Sequence, residues 1–362
     1  MFGSSKAEPV FHPKAGDDFI RRVEESDLQI VLRDDADLYD STSFVITGKD
    51  NSLIFIQAIV ANMRPMYTNQ VGIHIKYVNP AGKATFFSHK YGDKQWSFDD
   101  TTITIGGFKI VRNPEANAYH ITVDDPECKH IKGELIVQSS EGGGVKFGDD
   151  GKTAFAEDRS AYSSMFYAIP RATITGALSV KGEKVEVDAY GFVSHFVQNM
   201  KPHKAGLKWS MMKFHAEELS LVSDLLLTPK QYGKEEISHG LFVYKNKLTA
   251  VTVDNSITYP TTQYDKDTGY EMPTSAEYVW RGKTLEGQDF QAVIRLTPTN
   301  LIDKVDILGH LPWALRMVIK AFVARPFHYQ WLDTATATVT IGEETITVEG
   351  KALHEVTFIN PE

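Results

Sequence analysis

The chain has 362 residues, of which 42% are apolar and 23% charged, and carries a net charge of −9. That length accommodates two domains with a sizeable core each. The acidic balance, without any basic stripe to neutralise phosphates, excludes broad nucleic-acid binding.

A single cysteine, Cys128, rules out an intrachain disulfide and fits a reducing compartment. The opening, MFGSSKAEPVFHPKAGDD, lacks the apolar core of a signal peptide, and no apolar run approaches membrane-spanning length. A cytoplasmic protein is expected.

In chain order, residues up to about Val10 read as loose, and Asp17 to Val31 as a short helix followed by a strand. Ser41 to Met63 has the pattern of a hairpin: FVITG, a turn at Lys49-Asp50-Asn51, then SLIFIQAIV. Ile73, Ile75 and Tyr77 alternate with Gly72, His74 and Lys76, the period of a half-buried strand. Short strands follow at Thr101 to Ile105, Phe108 to Val111, Tyr119 to Val123 and Gly133 to Gln138. Ser139 to Asp158, rich in glycine, lacks the order of a phosphate-binding loop and reads as an exposed, mobile loop. The acidic pairs Asp99-Asp100, Asp124-Asp125 and Asp149-Asp150 read as solvated turns.

Two stretches match without a gap. When Phe55–Tyr77 is laid on Phe192–Phe214, Val60 meets Val197, Asn62-Met63 meets Asn199-Met200, Arg64-Pro65 meets Lys201-Pro202, and Lys76 meets Lys213. The match predicts an internal duplication. With the boundary placed near Pro170, the expected domains are residues 1–170 and 171–362. The fold class expected is mainly β, with short strands closing into barrels or sandwiches.

One segment departs from this style. Leu301 to Val323 has apolar residues at mixed three and four spacing, and Pro312 suits a first helical turn, so a helix is expected near 301–324. Trp313, Met317 and Phe322 would lie along it, with Arg316, Lys320 and Arg325 as a basic edge. It would cover the open end of a barrel.

Familiar chemistry leaves no motif. The histidines have no metal-ligand spacing, Ser210 lies outside any nucleophile elbow, and neither a nucleotide nor a flavin signature occurs, so no metal and no cofactor is expected. His74, His203, His215 and His328 read as core or interface side chains. What remains is aromatic and apolar. Trp209, Met211, Phe214, Phe327, Tyr329 and Trp331 are the candidate ligand-binding residues, because a barrel of about eight strands can hold one small apolar ligand. Lys201, His203 and Tyr329 are the candidates for any polar or catalytic role.

The run VQNMKPHKAGLKWSMMKFHAEELSLVSDLLLTPKQYG resembles the signature stretch of the fungal survival factor 1 family. It carries Gln198, Met200, Lys201, Pro202 and His203, then Trp209, and then Thr228, Pro229 and Tyr232. STSFVITGKDNSLIFIQAIVANM, the Leu301–Trp331 stretch and the terminal EVTFI are also similar. The resemblance implies two tandem lipocalin-like domains and a soluble cytosolic protein that meets ER and Golgi membranes transiently. It also implies binding and transfer of ceramide, and survival under oxidative stress. Members of that family begin with an amphipathic helix, whereas this chain opens on a polar, proline-interrupted stretch, as a divergent member would.

Two readings stand: a non-enzymatic carrier of a lipid or other hydrophobic small molecule, and a cofactor-free cyclase, pericyclase or hydratase acting on a lipophilic polyketide or terpenoid.

Overall fold

The computed structural model describes residues 7–32, 36–63, 67–140, 143–309 and 324–360. Two large antiparallel sheets carry the fold. In the first, Leu53–Met63 lies between Tyr67–Val78 and Leu38–Gly48, followed by Glu183–Gln198, Ala161–Val180 and Ile131–Ser139. Ala118–Val123, Phe108–Asn113, Thr102–Ile105 and Trp96–Phe98 continue its path, and Ala84–Tyr91 lies at its other end beside Tyr67–Val78. In the second, Leu219–Leu227 lies between Glu236–Tyr244 and Lys208–His215, followed by Glu344–Phe358, Phe327–Ile341, Asp289–Leu296, Ala276–Lys283 and Asp254–Thr258. An Ala250–Thr284 bridge brings the ends of the second sheet together, so it is a nearly closed barrel. The fold is mainly β, two lipocalin-like barrels in tandem.

Period-two alternation explains the cores. Phe44, Ile46, Ile54, Ile56, Ile73 and Ile75 turn into the first barrel, where branched aliphatic chains dominate. The second barrel is lined differently: Ala250, Ala276, Ala292, Ala335, Ala337 and Ala352 face Phe242, Tyr278, Trp280 and Phe290. The outer faces of the two sheets then pack on each other. Val45, Phe147, Tyr167 and Phe192 of the first meet Val222, Leu241, Leu332 and Leu353 of the second. Many strands are therefore buried on both faces, which is why Lys76, on the polar side of its alternation, is also buried.

The halves repeat, but not in the register read from the sequence. Leu53–Met63 and Tyr67–Val78 form a hairpin within one sheet. Residues 190–215 instead leave the first sheet at Gln198, pass through the short helix Pro202–Ala205 and enter the second sheet at Lys208. Both stretches read as strand, turn, strand, and local pattern cannot show which sheet the second strand joins. The true equivalence sets Glu183–Gln198 on Glu344–Phe358 and Leu38–Gly48 on Lys208–His215. Gly191 and Gly350 mark it. A Cβ at Gly191 would lie 2.8 Å from the Val45 carbonyl oxygen, and one at Gly350 would lie 2.6 Å from that of His215. Val45 and His215 occupy matching register positions, opposite Phe192 and Lys351.

Four local expectations of secondary structure and burial change as well. Leu301–Asp306 is a strand paired with Phe327–Trp331, in place of the start of a helix. Ile302 turns inward while Leu301 and Val305 stay exposed. The rest of that helix, with Trp313, Arg316, Met317 and Lys320, lies outside the described residues. Asp17 to Val31 holds the strand Ile20–Arg22 and a 3-10 turn over Glu25–Leu28. The glycine-rich segment is not an exposed loop: Val145–Phe147 and Lys152–Phe155 are strands, and Phe147 stacks on Phe19 and His239. Asp125 is buried, accepting hydrogen bonds from the Gly107 and Glu127 amides. Pro170 lies inside the Ala161–Val180 strand, and the chain changes sheets between Gln198 and Lys208.

Candidate ligand site in the second barrel

Alternation along four strands places one polar cluster inside the second barrel. Ser210 and Met212 point inward from Lys208–His215, Tyr278 from Ala276–Lys283, Trp331 from Phe327–Ile341, and His354 from Glu344–Phe358. The His354 ring lies 4.8 Å from Trp331 at 26°, 6.0 Å from Tyr259 at 17°, and 5.4 Å from Tyr278 edge-on. Tyr259 donates its hydroxyl hydrogen to Ser210 Oγ at 2.7 Å. His354 is fully buried, and neither ring nitrogen has a hydrogen-bond partner among the described residues. Burial drives its pKa down to about 3, against the pull of Glu355, so the imidazole is neutral.

One end of this interior is capped. The hairpin of Thr262–Asp265 and Tyr270–Pro273 lies over Phe327, Tyr329 and Phe358. Tyr270 stacks on Phe358 at 4.5 Å and donates to the Arg325 carbonyl at 2.7 Å. Tyr329 donates to Asp265 Oδ2 at 2.8 Å, and Thr268 Oγ1 lies 2.5 Å from the same hydroxyl. Burial would raise the Asp265 carboxyl, but Lys304 at 2.7 Å and the Tyr329 hydroxyl hold it down at about 2.

The wall's outer face carries charge. Lys213 Nζ lies 2.9 Å from Glu355 and 3.6 Å from Asp224, Gln330 donates to Glu355 at 2.6 Å, and Lys76 reaches across from the first sheet to Gln330 and Asp303. Tyr167 donates to Asp224 at 2.9 Å, and Arg171 donates to the Leu219 carbonyl at 2.9 Å. These paired ions lock the two sheets in one relative position, since a buried charge is tolerated only when partnered.

The first barrel holds a histidine too. His195 Nδ1 lies 3.0 Å from Thr42 Oγ1, and its Nε2 faces Asp40 Oδ1 at 3.4 Å. The adjoining cleft, about 20 Å³ between Leu28, Thr42, Phe98 and Tyr119, has room for little more than a water.

The candidate residues divide accordingly. Tyr329 and Trp331 stack on each other at 5.8 Å and share the capped end with Phe327, while Phe214 lies deeper in the same barrel. Trp209 and Met211 sit on the opposite face of their strand: Trp209 packs with Met200, Ala205 and Leu226, and Met211 lies beside Lys213. Lys201 immediately precedes the connector helix and His203 lies within it, away from the wall that carries Tyr329. Sequence reasoning missed His354, Tyr259 and Tyr278. The signal available was a Gly-x-x-x-His spacing repeated at Gly191/His195 and Gly350/His354.

Comparison with known proteins places this arrangement. The solved structure of CghA superposes with a TM-score of 0.62, 10% identity and coverage of 92% of this chain and 94% of that one. A putative AttH from Nitrosomonas europaea gives 0.59 at 11% identity, over 89% and 92%. Kievitone hydratase from Nectria haematococca gives 0.55 at 15%, over 97% and 98%. At such identities the likeness is one of fold alone. In sequence, the chain is 24% identical to the ceramide-binding protein svf1 of Aspergillus fumigatus over 98% of this chain and 96% of that protein. It is 23% identical to the protein of the same name in Emericella nidulans, over 99% and 96%. The profile of the Svf1 family matches residues 1–360, from the first barrel through the strand that carries His354, and the chain belongs to the Svf1 family.

Proposed function

We propose that this protein is a lipid carrier that holds ceramide, or a lipid of closely similar chemistry, inside its second barrel and moves it between membranes without transforming it. The observation that carries the reading is the His354 cluster: hydrogen-bonding groups at the centre of an apolar, alanine-lined barrel, open to partner a compact polar head. Burying the ligand's chains supplies the affinity, about 0.8 kcal/mol per methylene. Relatives named for ceramide binding, matched over nearly their whole length, support the same class of ligand.

The setting we propose is the cytosol, with transient contact at ER and Golgi membranes and a role in oxidative-stress survival. No helix among the described residues is long and apolar enough to cross a membrane. We also propose that the two domains divide at the connector between Gln198 and Lys208, where the chain changes sheets.

The catalytic alternative has less to support it. Lys201 and His203 are on the connector, and the Tyr329 hydroxyl is committed to Asp265 and Thr268. Mass spectrometry of lipids that co-purify with the full chain tests the choice. Ceramide is the expected finding, and a polyketide or terpenoid in its place would reverse it.

A further inference from the structure

We infer that the two barrels are not equivalent binding chambers: the second alone takes the ligand, and His354 anchors a neutral head that both donates and accepts a hydrogen bond. The inference rests on the carrier reading and adds which chamber, which residue and which class of head group.

Matched positions of the duplicated fold carry the argument. His195 lies opposite Thr42 in the first sheet, and His354 lies opposite Met212 in the second. Two residues earlier on those facing strands, Asp40 corresponds to Ser210, opposite Val197 and Val356 respectively. Each histidine also has an aromatic cross-strand neighbour, Phe166 in the first barrel and Trp331 in the second. The positions agree, but the polar partners do not.

In the first barrel Thr42 bonds one ring nitrogen, Nδ1, at 3.0 Å, and the other, Nε2, faces Asp40 at 3.4 Å without a hydrogen bond. In the second, methionine replaces the threonine, and the serine that replaces the aspartate is already occupied by the Tyr259 hydroxyl. Among the described residues His354 therefore keeps both nitrogens, one donor and one acceptor, unmet in a fully buried position, where His195 keeps one. An unmet buried polar group costs about 1 to 3 kcal/mol, and folded proteins retain few. A group brought in from outside relieves that cost.

The chemistry of the imidazole selects the group. A neutral ring offers one N–H and one lone pair, which a hydroxyl or a secondary amide complements. A carboxylate or phosphate head would be buried without a countercharge, because the ions nearest this wall are already paired on its far side. Free fatty acids and phospholipids are thereby disfavoured, and neutral lipids bearing hydroxyl or amide groups are favoured. The linings agree: branched aliphatic chains fill the first barrel, whereas alanines such as Ala292, Ala335 and Ala352 line the second.

The test uses the full chain, N-hexanoylsphingosine delivered from phosphatidylcholine vesicles, and the same lipid with both hydroxyls methylated. Wild-type protein should prefer the free lipid by about tenfold, the worth of one or two buried hydrogen bonds. His354→Phe should lose that preference and keep or raise the unfolding midpoint, since an unmet polar group has gone. In 15N-histidine spectra of the wild-type protein, the His354 ring resonances should move on adding the free lipid and those of His195 should not. These spectra decide the matter even where the variant fails to fold. A variant that retains the preference, or His354 resonances that do not move, would overturn the inference and leave the carrier reading standing. Wild-type protein that takes up neither lipid would overturn both.

Discussion

The Lys213 ammonium lies 2.9 Å from the Glu355 carboxylate, and both are buried where the outer faces of the two sheets meet. Each holds the other in its charged form. Burial alone would lower the lysine and raise the glutamate, yet attraction keeps Lys213 above its ordinary value and Glu355 at about 2.

That pair sets an acid limit on stability. The unfolded Glu355 carboxyl titrates near 4.5 and the folded one near 2, so its contribution is complete above 4.5 and is lost as pH falls toward 2. Glu355→Gln should cost about 3 kcal/mol at neutral pH by leaving Lys213 without its nearer partner. It should also flatten the stability profile below pH 4.5. Urea unfolding of both proteins across that range is the measurement.

Asp40 has the opposite sign. Burial lifts its carboxyl to about 8, against the stabilising Val31 amide, while the unfolded group titrates near 3.8. Folding stability should therefore decline as pH rises between those values, with a slope reaching about 1.4 kcal/mol per pH unit. Asp40→Asn should remove that decline and be the more stable protein at pH 8. Thermal unfolding at pH 5 and pH 8 checks the crossover.

Gly350 is required by closeness rather than by backbone angle. The added methyl of Gly350→Ala would meet the His215 carbonyl oxygen at 2.6 Å and the Phe214 ring at 2.6 Å. Both lie in a packed sheet, so the substitution should destabilise by about 1 to 3 kcal/mol. Gly191→Ala, at the matching place in the first sheet, should fall in the same range. Urea midpoints of the two variants compare them directly.

Trp209 separates packing from ligand binding. It covers Met200, Ala205 and Leu226 beside the connector and lies on the face of its strand turned away from the second barrel's interior. Trp209→Ala should lower stability by about 2 kcal/mol and leave lipid retention unchanged. Co-purified lipid per mole of protein, set beside the unfolding midpoint, distinguishes the two effects.

Much of this molecule is written in local order. Alternation at Ile73, Ile75 and Tyr77, the Lys49-Asp50-Asn51 turn and the absence of metal or nucleotide motifs led to a β-barrel protein with an apolar interior. The aromatic run through Phe327, Tyr329 and Trp331 does lie in one cluster, because residues two apart on a strand share a face. Alternation also hid structure. Leu301–Asp306 carried a helical spacing that its pairing with Phe327–Trp331 overrode, and the glycine-rich segment concealed Val145 and Phe147, which gain their burial from distant partners.

The amino-acid sequence by itself determined many of the strands and turns, the family and the kind of ligand to expect, since each rests on neighbours close along the chain or on a pattern of residue types. Tertiary structure alone decided which strands are equivalent, that Trp209 and Met211 face away from the interior, and that among the described residues both ring nitrogens of His354 lack a hydrogen-bond partner while Nδ1 of His195 has Thr42. Those facts depend on contacts between residues far apart in the chain, and a one-residue change of register or sheet would reverse each of them.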